Sequence, residues 1–381
     1  MNYSDFFKMI PEASLVAILI VLFVADFATA KAEERKWFNP LASILLLLNT
    51  FVCLYPMDTP HLFGGMYVTS SAVNVMKAIL SMGTFIVVVQ SRTWAAKTGK
   101  EAEFYMLIVS TLLGMFAMMS AGNFVMFFLG LEMASVPLAC AVAFDMYRKN
   151  SAEAAAKFIL TATFSSGVML YGISFLYGQF GTLYFEDIAV KMQATPLTVI
   201  GLVFFFSGLG FKISLVPFHF WTADTYQGAP TTVTGYLSVI SKGAAAFTLL
   251  SILFHVFGNM MEYWHVLLMI VVVLSITIAN LFAVRQNELK RFMAFSSISQ
   301  AGYIMLAAIG NNWANSVAAL SYYVLIYVVA NMAVFTIISV VEQNNGGKTD
   351  ISDYNGFYQT NPRLSFLMTL AMFSLGGIPP F

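Results

Sequence analysis

The sequence predicts an all-α fold: a polytopic transmembrane helical bundle built as an inverted repeat, with its seventh and twelfth helices broken inside the bilayer. Three observations carry that reading. First, 59% of the 381 residues are hydrophobic, 10% are charged and the mean hydropathy is +0.78. That is too much apolar surface for one aqueous core, so lipid must cover much of it. Second, the apolar residues fall in runs that reach the length of about 20 residues a spanning helix needs. Third, basic residues alternate from one connection to the next. The runs are continuous, unlike the alternating segments of about ten residues that build a membrane β-barrel.

In chain order the runs lie near 10–28, 38–56, 72–90, 104–121, 123–144 and 154–180, then near 196–221, 231–257, 263–284, 292–310 and 316–341. A twelfth starts near Leu364 and is still within the membrane at Phe381. The first run follows Lys8 and Glu12, lacks an Ala-x-Ala type end and is long enough to span, which predicts a retained helix and not a cleaved signal. Cys53 and Cys140 both fall inside spans, so neither a disulfide framework nor a thiolate metal site follows from them. Nothing resembles a nucleic-acid footprint.

The connections fix a predicted orientation. With the N-terminus outside, the inner loops hold Lys31, Arg35, Lys36, Arg92, Lys97, Lys100, Arg148, Lys149, Arg285, Lys290, Arg291, Lys348 and Arg363, and the outer segments hold only Lys8 and Lys191. This is the asymmetry expected when positive loops stay inside. A miscounted span would swap the sides of every later loop, so the pattern also supports the count.

Four basic residues remain inside spans: Lys77, Lys157, Lys212 and Lys242. A lysine at the centre of a membrane helix costs roughly 2.5 to 3.5 kcal/mol, so it should face protein or water and have a partner. Lys77, about two turns from its helix end, reads as a side chain that snorkels to the headgroups. Lys157, just inside its span, could snorkel or face inward. Lys212 and Lys242 lie too deep to reach an interface. Among the acids only Glu132 is central, whereas Asp26 and Glu153 sit at helix ends and read as interfacial. Glu132 is therefore the natural counter-charge for a buried lysine, and such a pair can capture or release a proton when its geometry changes. A static salt bridge is the competing reading.

Pro217 separates them. It removes a backbone donor and crowds the carbonyl of Ile213, so the helix carrying Lys212 must kink or break there. Small residues upstream, Ser207, Gly208 and Gly210, let neighbouring helices approach. "LVPF" at 215–218 is echoed by "IPPF" at 378–381, behind "SLGG" at 374–377. The two lie in the seventh and twelfth spans, which cross in opposite directions. Interrupted helices in corresponding, inverted positions point to a transporter with ion sites near the midplane, with Pro217, Pro379 and Pro380 at the breaks. His219 and His255 are secondary candidates; the first can equally anchor the kink, and the second is near a helix end.

The stretches "KISLVPFHFWTADTYQGAPTTVTGYLSVISKGAAA" (212–246), "NELKRFMAFSSISQAGY" (287–303) and "FLGLEMASVPL" (128–138) closely resemble the subunit N family of proton-pumping NADH:quinone oxidoreductase, respiratory complex I, called subunit 2 in mitochondria. The likeness runs over nearly the whole chain, and Tyr226-Gln227-Gly228 looks more like subunit N than its antiporter-like sisters. What the resemblance implies is a fourteen-helix subunit of the antiporter-like membrane family, in which helices four to eight and nine to thirteen form the inverted repeats. In this chain that gives an N-terminal three-helix segment at 1–103, a first repeat at 104–257 and a second at 263–381.

By the same resemblance Glu132 is the fifth-helix glutamate, Lys212 its seventh-helix partner, Lys157 the connecting lysine of helix six and Lys242 the central lysine of helix eight. The family's helix-twelve lysine would follow Phe381. Ala223 and Thr225 depart from the residues expected after helix seven and leave the ionisable row intact. The implied function is proton translocation through a Glu/Lys/water relay driven by quinone reduction elsewhere in the complex. The chain has no GxGxxG loop, cysteine cluster or haem-spaced histidine pair and supports no quinone pocket. It is expected to carry no cofactor or metal of its own, with NADH, FMN, iron-sulfur clusters and quinone in partner subunits. Its expected surroundings are other complex I membrane subunits, including the antiporter-like sisters, in a bacterial cytoplasmic (inner) membrane with the N-terminus on the periplasmic side. A subunit of a multisubunit cation/proton antiporter, a stand-alone sodium/proton exchanger using the same buried pair, or an inactive scaffold remains open from residues alone.

Overall fold

The computed structural model describes residues 6, 8–29, 37–55, 59–146 and 148–378. Lys31, Arg35, Lys36, Pro379, Pro380 and Phe381, named above, lie outside them. Every apolar run becomes a helix. The chain opens with α1 (Ile10–Ala28) and α2 (Phe38–Cys53), crosses a hairpin of β1 (Thr59–Leu62) and β2 (Tyr67–Thr69), and enters α3 (Ser71–Gln90). A short α4 (Arg92–Thr98) leads to α5 (Glu101–Met119), α6 (Phe124–Val142) and α7 (Lys149–Phe180). After α8 (Phe185–Lys191), the seventh run divides into α9 (Pro196–Ile213) and α10 (Phe220–Gly228). The eighth is α11 (Thr231–Tyr236), a π turn (Leu237–Ser241) and α12 (Lys242–His255). There follow α13 (Met261–Ala283), α14 (Leu289–Leu306), α15 (Trp313–Asn344), the short α16 (Phe357–Thr360) and α17 (Pro362–Leu375). Among the described residues ten helices are long and apolar enough to cross a membrane, and α2 and α17 are shorter apolar helices. The chain is therefore a multi-pass integral membrane protein.

The eighth helix is the hub. It is enclosed on every side, since each residue from Ala229 to Leu250 is buried, polar ones included. Peripheral helices instead turn large apolar side chains outward, as Phe164, Leu160 and Leu281 do, because lipid and not water is their solvent.

The halves repeat a plan in opposite senses. α7 and α15 are each 32 residues long. α6 starts at an Asn123 cap whose backbone bridges to Tyr184, and α14 starts at a Glu288 cap whose backbone bridges to Asp350. Both caps accept from the amide three residues on, Met126 at 2.8 Å and Arg291 at 2.6 Å, which satisfies a donor that a helix start leaves free. The ends of α9 and α17 match as well. Leu215 N donates to Gly210 O at 2.8 Å across Ser214 at φ +69°, and Ile378 N donates to Phe373 O at 2.9 Å across Gly377 at φ +71°. This left-handed closure satisfies the last carbonyls of a helix, and it falls at equivalent positions of the LVPF and IPPF segments.

Candidate functional site: a buried lysine row at the broken helix

The break is built from local chemistry. α9 begins with a reciprocal cap between Thr195 and Thr198 and stops at Ile213, four residues before Pro217, whose peptide bond with Val216 is cis. Backbone opened inside a membrane must find partners within the protein. Val216 N donates to Ser275 Oγ of α13 at 2.9 Å, and Trp221 Nε1 donates to Phe211 O at 3.1 Å. Gly208 admits α7 closely, since a Cβ there would sit 2.5 Å from Met169 Cβ.

Lys212 occupies the last turn of α9, where the carbonyl end of the helix favours a cation. It is buried, its Nζ donates to Ser135 Oγ of α6 at 2.7 Å, and the Phe158 ring centroid lies 6.0 Å away. Glu132, one turn before Ser135, forms no hydrogen bond or ion pair within the limits of contact among the described residues, so the direct pair with Lys212 is not closed. The two nevertheless line one cavity of about 10 Å³ with Ser165 and Ser166. That volume is about one water-sized sphere, and its hydroxyl lining suits one.

Lys242 begins α12, directly after the π turn. Its Nζ donates to Ser297 Oγ of α14 at 2.7 Å and stands 5.3 Å from the Tyr226 ring centroid. The Tyr226 hydroxyl is 3.3 Å from the same Ser297 Oγ, Ser297 donates to Ser238 O at 3.4 Å, and Asn331 Nδ2 donates to Ser238 Oγ. Each lysine therefore has one protein acceptor for three ammonium donors. The linking segment and its surroundings also hold unpartnered polar atoms: Ser214 Oγ, His219 Nδ1, Thr222 Oγ1 and Thr225 Oγ1 are buried without a partner among the described residues, as are Tyr327 Oη and Asn331 Oδ1 beyond Lys242. Buried polar atoms of this kind call for ordered water.

Lys157 stands elsewhere. A helix of 32 residues is about 48 Å long at 1.5 Å per residue, more than the hydrocarbon thickness of about 30 Å, so its first turns emerge. There Lys157 Nζ meets Glu153 Oε1 and Asp224 Oδ2, each at 2.7 Å, and Arg291 takes Asp224 Oδ1 at 2.6 Å. The hydrogen bond from Lys157, with that from Arg291, holds the Asp224 carboxyl below the usual carboxylate range. Phe158, one position and about 100° further round the helix, is the neighbour that faces Lys212. His255 is likewise apart from the row, with Nδ1 2.9 Å from Ser251 O and its ring 4.4 Å from that of Trp313.

The snorkelling read for Lys77 is overturned. Lys77 is fully enclosed, its Nζ 2.6 Å from Glu12 Oε1 and 3.3 Å from the Tyr67 hydroxyl, and Tyr67 in turn donates to Glu12 Oε2 at 2.9 Å. The hairpin folds over the start of α1 and brings Tyr67 to the pair; short strands among loop residues gave no periodic signal of it. Ser135, Ser297, Asp224 and the π turn were also missed, since serine in an apolar helix is unremarkable until its neighbour is known. Among the described residues no three His, Cys, Asp or Glu converge into a metal site.

Comparison with known proteins agrees with this architecture. Residues 121–381 match the family model described as NADH:quinone oxidoreductase/Mrp antiporter, TM. NADH-quinone oxidoreductase subunit N of Phocaeicola vulgatus is 57% identical over 384 aligned positions, covering 100% of this chain and 81% of that protein. A chain of respiratory complex I from Thermus thermophilus with bound aureothin superposes with a TM-score of 0.81 at 29% identity, covering 97% of this chain and 79% of that one. A chain of the Mrp complex from Dietzia sp. DQ12-45-1b shares the fold, with a TM-score of 0.80 at 19% identity over 100% of this chain and 72% of that one. Sequence identity over the whole length, the broken seventh helix and the inverted halves together place the chain in the NADH-quinone oxidoreductase subunit N family, the proton-translocating, antiporter-like membrane subunits of complex I.

Proposed function

We propose that this subunit moves protons between Glu132, Lys212 and Lys242 through water held along the broken helix. One observation carries the reading: Lys212 and Lys242, each bonded to a single serine, stand at two ends of a segment in which Ser214, His219, Thr222, Thr225 and Thr232 each hold a buried polar atom without a protein partner among the described residues. Proton transfer needs donors and acceptors within about 3 Å of one another, directly or through one water. Glu132 and Lys212 meet that condition through their shared cavity. From Lys212 the path runs beside Ser214, His219, Thr222 and Thr225 to Lys242, where Ser297 and Tyr226 orient the ammonium. His219, with an open Nδ1, is the group best placed to assist.

Lys157 serves at the mouth of this path, in the cluster with Asp224 and Arg291, and not as a link between the buried lysines. The first repeat spans 104–257 and the second 263–381, with the described residues of the N-terminal three-helix segment (1–103) packed beside them. The driving reaction belongs to partner subunits, where NADH, FMN, iron-sulfur clusters and quinone act, and the neighbours include sister antiporter-like subunits. The basic loops orient the N-terminus to the periplasmic side of a bacterial cytoplasmic membrane.

The test is NADH-driven proton uptake by proteoliposomes holding the whole complex with Lys212→Met or Lys242→Met. Loss of pumping with an intact subunit complement is the expected result, and pumping equal to wild type in either variant rejects that lysine's role. A dependence on sodium at fixed pH would transfer the reading to a sodium path.

A further inference from the structure

The Glu12–Lys77 ion pair is fully enclosed, lies outside the lysine row and has no part in the relay above. A buried pair of this kind contributes little net stability, because desolvation offsets its attraction, but parting the two charges leaves each buried and uncompensated. Its anchorage is complete. Glu12 stands in the first turn of α1, where the amide end of the helix favours an anion, and takes Tyr67 on one oxygen and Lys77 on the other, with Ser120 Oγ 3.5 Å away.

Lys77 belongs to α3, which lies against the hub from Met76 to Thr84. Met76 Cε would be 3.3 Å from a Cβ on Gly243, Ile240 Cδ1 would be 2.2 Å from a Cβ on Gly83, and Thr84 stands beside the hydroxyl of Tyr236. Tyr236 precedes the π turn, Ile240 is within it and Gly243 follows Lys242. The same Tyr236 hydroxyl meets Thr111 Oγ1 of α5 at 2.6 Å. A π turn is rare and occurs mostly as a single turn inside an α-helix, frequently at functional sites, and α3 supplies one wall of the surroundings of this one.

We propose that Glu12 and Lys77 are positioning residues: their ion pair locks the register of α3 against the π turn and so sets where Lys242 sits relative to Ser297. A slip of α3 by one residue, a rise of about 1.5 Å with a turn of about 100°, would swing Lys77 away from Glu12 and Gly83 away from Ile240, so pair and π turn hold or fail together. The inference rests on the relay role of Lys242.

The experiment uses the complete complex in proteoliposomes, with proton uptake per NADH oxidised measured across a pH series. Glu12→Gln keeps the shape and leaves Lys77 without a counter-charge; it is expected to lower uptake per NADH about fivefold at neutral pH and move the pH optimum by about one unit. The double variant Glu12→Gln with Lys77→Gln, which can re-form a hydrogen-bonded neutral pair, is expected to recover the wild-type pH profile. A merely structural pair would alter the yield of complex and leave the pH profile where it was, and that result overturns the proposal. Should Glu12→Gln fail to assemble, Gly83→Val sets branched carbon against Ile240 and Val328 together and presses α3 off both; an unchanged profile there also overturns it. Wild-type pumping by Lys242→Met in the same series would instead remove the relay reading on which the inference stands.

Discussion

Ser135 and Lys212 share a 2.7 Å hydrogen bond, and through it the deepest cation of the broken helix is tied to the helix that carries Glu132. Ser135 lies one turn beyond Glu132, on the same face. The serine thus holds the ammonium at the wall of the cavity into which the carboxylate opens.

Replacing Ser135 with Ala removes the protein acceptor of Lys212 and enlarges the cavity. A hydrogen bond to a charged group is worth about 1.5–3 kcal/mol, so coupled proton uptake should fall by about tenfold while subunit content is unchanged. Ser135→Thr keeps the hydroxyl and should retain most of the activity. Equal uptake in the Ala variant and wild type would remove Ser135 from the path.

The Lys242 end is asymmetric. Ser297 accepts directly from Nζ at 2.7 Å, whereas Tyr226 contributes mainly its ring face at 5.3 Å. Ser297→Ala should therefore slow pumping by about tenfold. Tyr226→Phe, which keeps the ring, should cost about twofold, because a cation–π contact survives the loss of the hydroxyl. The reverse order of the two effects would mean that the phenol, and not the serine, orients the lysine.

Asp224 joins Lys157 and Arg291 at 2.7 and 2.6 Å, with all three side chains partly exposed. Exposed pairs of this kind are worth little because solvent screens them, so Asp224→Asn should lower thermal stability only slightly at neutral pH. The sign of the pH dependence follows from the depressed carboxyl. A depressed group contributes stability that is fully present above its ordinary range, about pH 4, and is lost as pH falls through the lower folded value. Wild type and Asp224→Asn should thus differ at pH 7 and converge in acid. A gap that widens in acid would contradict the pairing.

Gly208 permits the close approach of α9 and α7. Gly208→Val places branched carbon in space already taken, since Met169 Cβ lies 2.5 Å from where the first side-chain carbon would stand. Overpacking of this kind costs about 1–3 kcal/mol, so less assembled complex should be recovered from membranes, with a lowered melting temperature. Recovery equal to wild type would show that the two helices separate freely.

The apolar helices along the chain and the position of the break were legible in the residues. Lipid leaves the backbone no alternative to helix, which makes length and hydropathy decisive. Charge at that depth is costly enough that Lys212 and Lys242 stood out without any knowledge of their neighbours, and Pro217 removes a backbone donor and so kinks or breaks its helix. Periodicity did not mark the hairpin or the π turn, since both are shorter than the windows in which a period can be read.

Partners were another matter. Lys77 is joined to a carboxylate 65 residues away, Lys242 to a serine 55 residues on, and Lys157 to Asp224 rather than to the row in which its family position puts it. Residue order alone says which groups are too costly to leave in lipid and where the helices must start, stop and break, because those are contests between one segment and its solvent. Which acceptor each lysine meets is settled by the packed bundle, because that depends on which helices stand side by side and how each is rotated, and an apolar helix face carries no record of its neighbour.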